Sequence, residues 1–460
     1  MRKQIFAIGV FIVLLSSIVA WFQFASSSTS FLSALLNSLR VIIIVIVTLF
    51  IVYAPLMMLI RKWWKKRSAK LDMRNNQQAK ALNRFIKNGN ALIGAITIFY
   101  ALMLAIFAHI IAPDISPYAN DQINELPYKQ PGYSILILKQ PLELKPEETN
   151  FGEWLIRGKK VSYRQIPIID FHFAGDSIYA IRFIGDGIPG QDLKFEMAEI
   201  TGEVNTRGRN KALIENKYIT QRTFILGTDD LGRDYLSRIL LGIRVSLSVG
   251  FVAVFIALFI GIPLGALAGF YKQYPPAVKI SKSKKWLIPV DGGIMWFINI
   301  IWSIPTLLLV FPIVFAFGQN FYTIFIAVGI TMWVDIARIV RGQVLQVREQ
   351  EFIQAAKTFG FSDTRTIFRH ILPNITGPVI VITAANFAYA ILTEAGLSFL
   401  GIGVQPPAPS WGLMISKYKD NLITEPYLAF IPGFAITTLV LAFFMIGNGL
   451  RDALDIKSRL

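Results

Sequence analysis

Residues 239–270, ILLGIRVSLSVGFVAVFIALFIGIPLGALAGF, carry a single charged side chain, Arg244. At 1.5 Å per residue a helix of this length exceeds the roughly 30 Å hydrocarbon thickness of a bilayer. In lipid the backbone polar groups must be satisfied within the segment, so this run predicts a membrane-spanning helix. Similar runs lie on both sides of it, at about Ile5–Phe24, Val41–Ile60, Ala91–Ala112, Gly292–Phe317, Tyr322–Ile336, Ile375–Glu394 and Tyr427–Gly447. Across all 460 residues, 54% are apolar and 16% charged, against about a quarter charged in soluble domains. A water-soluble globule is excluded, and an all-α polytopic membrane protein with eight crossings is expected. The absence of cysteine removes thiol catalysis, thiolate metal sites and disulfides, and three histidines leave little for a metal cluster.

The positive charge is concentrated. Arg61–Lys87 holds ten Lys or Arg against one acid, Lys272–Lys285 holds five against none, and Arg338–His370 holds six against three. Pro113–Leu226 is balanced, with fourteen basic and fifteen acidic residues. Short basic loops are retained in the cytoplasm, so both termini and the three basic stretches are expected inside and 113–226 outside. Membrane lipid is therefore an expected partner; nucleic acid is not, because no folded reader motif accompanies the basic clusters. The first run also has the basic start and following serines of a signal peptide, but its apolar part is too long, and Trp21 and Phe22 stand where small residues are wanted. An uncleaved span is the preferred reading. Trp63, Trp64, Trp286 and Trp411 fall near span ends, where headgroup anchoring is expected.

The chain divides into 1–90, two additional N-terminal spans with a basic linker; 91–112, a first core span; 113–226, an inserted domain outside the membrane; and 227–460, a core of further spans with a cytoplasmic loop over 338–373. Alternating runs at Ser134–Leu138, Ile166–Phe173 and Ile178–Ile184, separated by Gly-Asp and Pro-Gly turns, predict short strands in the insert. His172 reads as a packed or surface strand residue.

Glu349–Asn374, EQEFIQAAKTFGFSDTRTIFRHILPN, reads as two short helices around a turn. Phe352, Ala355, Ala356 and Phe359 predict an apolar face whose small residues admit close approach by another protein. Gly360 suits the left-handed residue that ends the first helix, and Ser362 the N-cap of the second, whose stripe is Ile367, Phe368 and Ile371.

These residues resemble a family. Gln354-Ala355-Ala356, Gly360, and Leu372-Pro373 match the "EAA" loop of permease subunits in binding-protein-dependent ABC importers. Leu226–Val249, Glu394–Gly412 and Gly447–Asp455 narrow the resemblance to the C-type subunit of its dipeptide and oligopeptide branch. The resemblance covers about Leu226–Asp455, with 91–112 as N-terminal partner. It implies a type I importer transmembrane domain of six core helices, to which the two N-terminal spans and the insert are additions. It implies no cofactor on this chain. ATP and Mg would be held by two ATP-binding subunits, beside a second, similar permease subunit and an extracytoplasmic substrate-binding protein, in the bacterial cytoplasmic membrane. The loop would enter a groove on the ATPase, with Phe352, Ala355, Ala356 and Gly360 for packing and the turn, Gln354 for a polar contact, and Arg365 and Arg369 for charge pairing. The family's usual Glu is Gln354 here, which keeps hydrogen-bonding reach and loses the charge.

Two further stretches have alternative readings. Asp229, Asp230, Arg233 and Asp234, and Glu394, Pro406, Pro407 and Trp411, are candidates for an outer gate or a contact with the binding protein; equally, the first group caps the entering helix and the prolines stiffen a turn. GTDDLGRD at Gly227–Asp234 imitates a phosphate loop but has Asp where the Mg-binding hydroxyl is needed. A cation-coupled carrier acting alone is the competing function, and a membrane-anchored scaffold a weaker one. Carriers place ionisable groups near the midplane, whereas His109, Asp335 and Glu394 fall near expected span ends.

Overall fold

The computed structural model describes residues 56–65, 77–142, 149–201, 211–272, 277–279, 285–287 and 289–454. The expected crossing at Ile5–Phe24, its cleavage alternative and most of Val41–Ile60 lie outside the described residues. Helices α1 (Gln77–Lys87), α2 (Gly89–Ile111), α3 (Phe151–Arg157), α4 (Tyr235–Tyr271), α5 (Val290–Trp302), α6 (Thr306–Phe317) and α7 (Phe321–Arg348) are followed by α8 (Glu351–Thr358), α9 (Thr376–Phe399), α10 (Trp411–Tyr418) and α11 (Tyr427–Leu454). The chain forms two compact units, one of residues 1–101, 246–405 and 411–460, the other of 102–245 and 406–410.

In the first unit the membrane-scale helices pack through small residues. Gly261, Gly265 and Gly269 recur every fourth position along α4. A Cβ at Gly261 would lie 2.8 Å from the Trp333 carbonyl, one at Gly265 2.9 Å from Ala337 Cα, and one at Gly269 2.8 Å from Val344 Cβ. Such stripes bring two backbones together where lipid offers no hydrophobic drive to associate. Helix α9 packs against α7, α10 and α11, and α11 also contacts α1.

Three expectations change here. The run at Gly292–Phe317 is two helices, α5 and α6, meeting at 90°. Pro305 between them withholds an N–H and disfavours helical geometry before it, and Ser303 Oγ satisfies the Ile300 carbonyl at 2.7 Å. Among the described residues five helices are long and apolar enough to cross, or six if the bent pair counts as one span. Helix α7 continues past the expected end at Ile336 to Arg348, so the first third of the supposed 338–373 loop is helix. Its charges are matched inside the unit: Arg341 grips Asp291 at 2.6 and 2.8 Å, Arg338 lies 3.7 Å over the Trp302 ring, and Asp335 accepts the Trp302 indole N–H at 3.1 Å. Asp335 thus lies midway along its helix. Trp64 and Trp411, expected as interfacial anchors, are buried; the Trp64 Nε1 donates to Asn83 at 3.2 Å.

The second unit contains the insert, a five-stranded antiparallel sheet ordered β4-β3-β2-β1-β5. Its strands are β1 (Tyr133–Pro141), β2 (Tyr163–Ala174), β3 (Ser177–Arg182), β4 (Gln191–Glu196) and β5 (Ile219–Phe224). Alternation along β1 sends Leu138 to a cluster with Ile166, Ile168 and Ile178, and Ile135 and Ile137 to a second with Ile123, Leu126 and Phe224. The three expected strands are present; β4 and β5, which mix charges with their apolar positions, were not foreseen. His172 stacks on Tyr179 across the β2–β3 pair, with centroids 5.3 Å apart.

Arg244, the lone charge in the opening run, belongs to this unit. Its Nε donates to the Ala105 carbonyl at 2.9 Å, Nη1 to Ile156 at 2.8 Å, and Nη2 to Ile106 at 3.1 Å and Leu155 at 3.0 Å, while His109 Nδ1 lies 3.0 Å from Nη1. An ionisable side chain in a span is a functional candidate by default. Here the guanidinium is consumed in tying the C-terminal turns of α2 and α3 to α4.

Asp121 gives a pH test. Burial, and then the neighbouring Asp114 charge, push its carboxyl up from 3.8 to about 6. The folded unit therefore holds a proton that the unfolded chain releases between about pH 4 and 6. Stability contributed by the group is present at low pH and lost as pH rises through 6, up to about 3 kcal/mol for a two-unit shift. The unit is expected to melt at a higher temperature at pH 5 than at pH 7, and Asp121→Asn to remove that difference; circular dichroism melts of the purified chain at both pH values check it.

Candidate functional site

The segment after α7 folds as a compact buckle. Gly360, at φ +77, ends α8. Its N–H reaches the Lys357 carbonyl at 2.9 Å, and the Phe361 N–H reaches Ala356 at 3.1 Å, the paired bonds of a Schellman turn. Ser362 accepts the Arg365 N–H at 3.4 Å as the expected N-cap. The second helix then widens into a π-helical turn over Thr366–Ile371.

Ile353 and Ala356 of α8, with Thr366, Ile367 and Ile371 of the turn, point into the chain. Phe352 is 45% exposed, Phe359 79% and Phe368 64%, and Ala355, Gln354, Arg365 and Arg369 are also exposed. Ala356, expected on the partner-facing side, is only 5% exposed and supports its own chain. Phe368, expected in the stripe with Ile367 and Ile371, stands on the opposite side, because a π turn adds a residue and rotates the side chains beyond it. Arg365 lies 4.0 Å over the Phe361 ring, which also stacks on His370. Leu372 is half-buried and Pro373 exposed.

The buckle is tied to the ends of α4 and α7. Arg348 Nη1 donates to the Gly269 carbonyl at 2.8 Å, Tyr271 Oη to Asp363 at 3.3 Å, and Lys357 Nζ sits 4.4 Å over the Phe270 ring. Burial holds the Lys357 amine below its usual value. Arg348, Tyr271 and Lys357 were not foreseen; the one sequence cue is that Ile353, Ala356 and Lys357 share an α-helical face. These contacts hold the buckle against the ends of two long helices.

The other candidate residues are placed differently. Asp229, Arg233 and Asp234 are buried. Asp229 accepts the Arg233 Nε at 2.7 Å and the backbone N–H of Leu231 and Arg233, each at 3.0 Å, and Asp234 accepts the Ser237 N–H at 2.9 Å in the first turn of α4. Asp229 and Arg233 engage one another, Arg233 Nη1 donates to Asn120 Oδ1 at 2.9 Å and Asp234 Oδ2 caps α4, which supports the capping reading; Asp230 is half-exposed. The Asp229–Arg233 pair also removes the cation that phosphate binding would need. In the first unit Glu394 is fully buried and accepts Ser398 Oγ at 2.7 Å, and Trp411 is buried beside Gly412, whose missing side chain leaves room for Ala395. Pro406 and Pro407 are exposed and joined by a cis bond.

Residues 261–459 match the family described as "Binding-protein-dependent transport system inner membrane component". The chain is 42% identical over 233 residues to the dipeptide transport system permease protein DppC of Alkalihalophilus pseudofirmus, covering 51% of this chain and 72% of that one. It is 39% identical over 233 residues to the oligopeptide transport system permease protein OppC of Bacillus subtilis, with the same two shares of 51% and 72%. To the glutathione transport system permease protein GsiD of Pectobacterium atrosepticum it is 37% identical over 232 residues, 50% of this chain and 72% of the other. The match includes the buckle, the glycine stripe of α4 and the helices packed on it. This chain belongs to the inner membrane components of binding-protein-dependent transport systems, the permease subunits of ABC importers.

Proposed function

We propose that the chain is the C-type permease of an importer that moves peptides across the bacterial cytoplasmic membrane, powered by ATP hydrolysis on two partner subunits. The observation that carries this is the buckle at 349–375: exposed aromatic rings on a capped, rigid turn, bonded to the ends of α4 and α7. A partner moving the rings would move both helices, and alternating access follows. The peptide substrate rests on the names of the relatives. A second permease subunit and an extracytoplasmic binding protein complete the assembly, with both termini and the buckle in the cytoplasm.

Purification of the tagged chain from native membranes in mild detergent should recover a nucleotide-binding subunit, and vesicles holding the complex should take up peptide only with ATP. Uptake by the lone chain under an ion gradient would sink the reading. Within the buckle, Phe352→Ser with Phe359→Ser should lower recovery of the ATP-binding subunit tenfold or more. Both rings are exposed, so the melting temperature of the lone chain should move little, which separates docking from folding in the same preparation.

A further inference from the structure

The insert holds a cavity of about 250 Å³ lined by Asp114, Asp121, Lys139, Tyr163, Gln165 and Arg222, among others. Two carboxylates and two cations face one space, yet among the described residues no ion pair joins either carboxylate to either cation. Gln165 is the reason: its amide nitrogen donates to Asp121 Oδ2, while its carbonyl oxygen accepts Arg222 Nη1 at 2.6 Å. The amide keeps the two charges apart and holds both in place.

Each charge is fixed by its surroundings. The Asp114 carboxylate accepts the backbone N–H of Ser116 at 2.8 Å and of Asp121 at 3.1 Å, which orders the acidic wall. Asp121 uses one oxygen on Gln165, and the other takes no hydrogen bond among the described residues. On the other side of the Gln165 amide, Lys139 Nζ lies 5.3 Å over the Tyr163 ring and Arg222 lies 4.9 Å over the Phe224 ring. Strand register explains the wall, since Lys139 on β1 is opposite Gln165 on β2, and β5 carrying Arg222 pairs with the other edge of β1. Like charges therefore neighbour like. Burial and then Arg222 hold the Lys139 amine below its usual value, the counterpart of the rise at Asp121.

We propose that this cavity binds a small zwitterion, an amino acid or dipeptide, with its ammonium group at Asp121 and its carboxylate between Lys139 and Arg222. A monovalent anion would satisfy the cations and leave the acids repelling it; a cation would do the reverse. A zwitterion answers both walls without altering the neutral total. At about 30 Å³ per water the space holds roughly eight waters, which suits one or two residues. The site lies outside the family match at 261–459 and does not depend on the transport reading.

The test uses the full chain, purified in lipid nanodiscs without ATPase subunits, and equilibrium dialysis with labelled glycylglycine at pH 7.5. Saturable binding is expected, at least tenfold weaker for N-acetylglycylglycine, which lacks the cation, and for glycylglycinamide, which lacks the anion. Lys139→Gln should weaken glycylglycine at least tenfold with an unchanged melt, since Lys139 makes only a ring contact, and Asp121→Asn should weaken it at least tenfold by removing the charge that takes the ammonium group. Absence of saturable binding, equal binding of either blocked form, or wild-type binding in both variants overturns the proposal.

Discussion

Replacing Gly360 by proline is expected to leave the chain in the membrane at its normal level while recovery of the ATP-binding subunit falls tenfold or more and ATP-driven uptake disappears. The residue sits at φ +77 and its N–H bonds to Lys357. Proline fixes φ near −65° and has no N–H, so the Schellman turn is lost at a local cost of about 3 kcal/mol or more. Nothing lies within 4 Å of where a Cβ would stand, so the damage stays in the turn and does not enter the helical core. Gly360→Ala, strained by about 1–2 kcal/mol in the left-handed region but otherwise unobstructed, should fall between wild type and proline. Membrane abundance by immunoblot and subunit recovery by co-purification give the two readouts. Undiminished recovery in the proline variant would remove the buckle as the coupling element. Ala356→Trp is a poorer probe, because Ala356 is packed inside the chain and a large ring there damages folding first.

Arg244→Leu should cost the insert its protease resistance and lower the yield of folded chain. Its guanidinium serves four carbonyls, from Ala105, Ile106, Leu155 and Ile156, where α2, α3 and α4 converge. The bonds to Ile106 and Ile156 are exposed to water and the Leu155 carbonyl also lies 3.2 Å from His109 Nδ1, so the variant should lose about 1–3 kcal/mol, a noticeable share of the stability of a typical domain. Arg244→Lys keeps the charge but has three donors on a single nitrogen instead of a planar fork, and cannot reach carbonyls on two helices at once. It should be intermediate. Limited proteolysis and thermal melts of both variants decide the matter; a leucine variant as resistant as wild type would show that the bonds contribute nothing to the insert's stability.

The contrast between these residues shows what each level of description can carry. Gly360 and Ser362 were legible from sequence, since a glycine after an apolar helical face and a serine before the next are dictated by bonds among near neighbours. Ala356 and Phe368 were not. Phe368 turns outward in a π turn over Thr366–Ile371, which moves a stripe without leaving a mark in residue type, while Ala356 lies in the regular helix α8 and is covered by packing within its own chain. Strands β1 to β3 were visible in their alternation, whereas β4 offers only Leu193 and Phe195 on its apolar face and β5 sets Arg222 on the same face as Phe224. The Pro305 bend was missed because apolar content continues unbroken across it.

Sequence by itself determined that this chain lives in a membrane and that a capped helical turn at 349–375 interrupts its long apolar helices. Those features rest on hydropathy and on contacts between residues a few positions apart. Only the tertiary structure decided which side chains are used up internally: Asp229 on Arg233, Arg341 on Asp291, Arg244 on the ends of two helices. It also placed Asp121, Lys139, Gln165 and Arg222 around one cavity, although they are spread over about a hundred residues. A charge in a sequence has no partner until the fold brings one within a few ångströms, and only that distance separates a structural pair from a site open to a ligand.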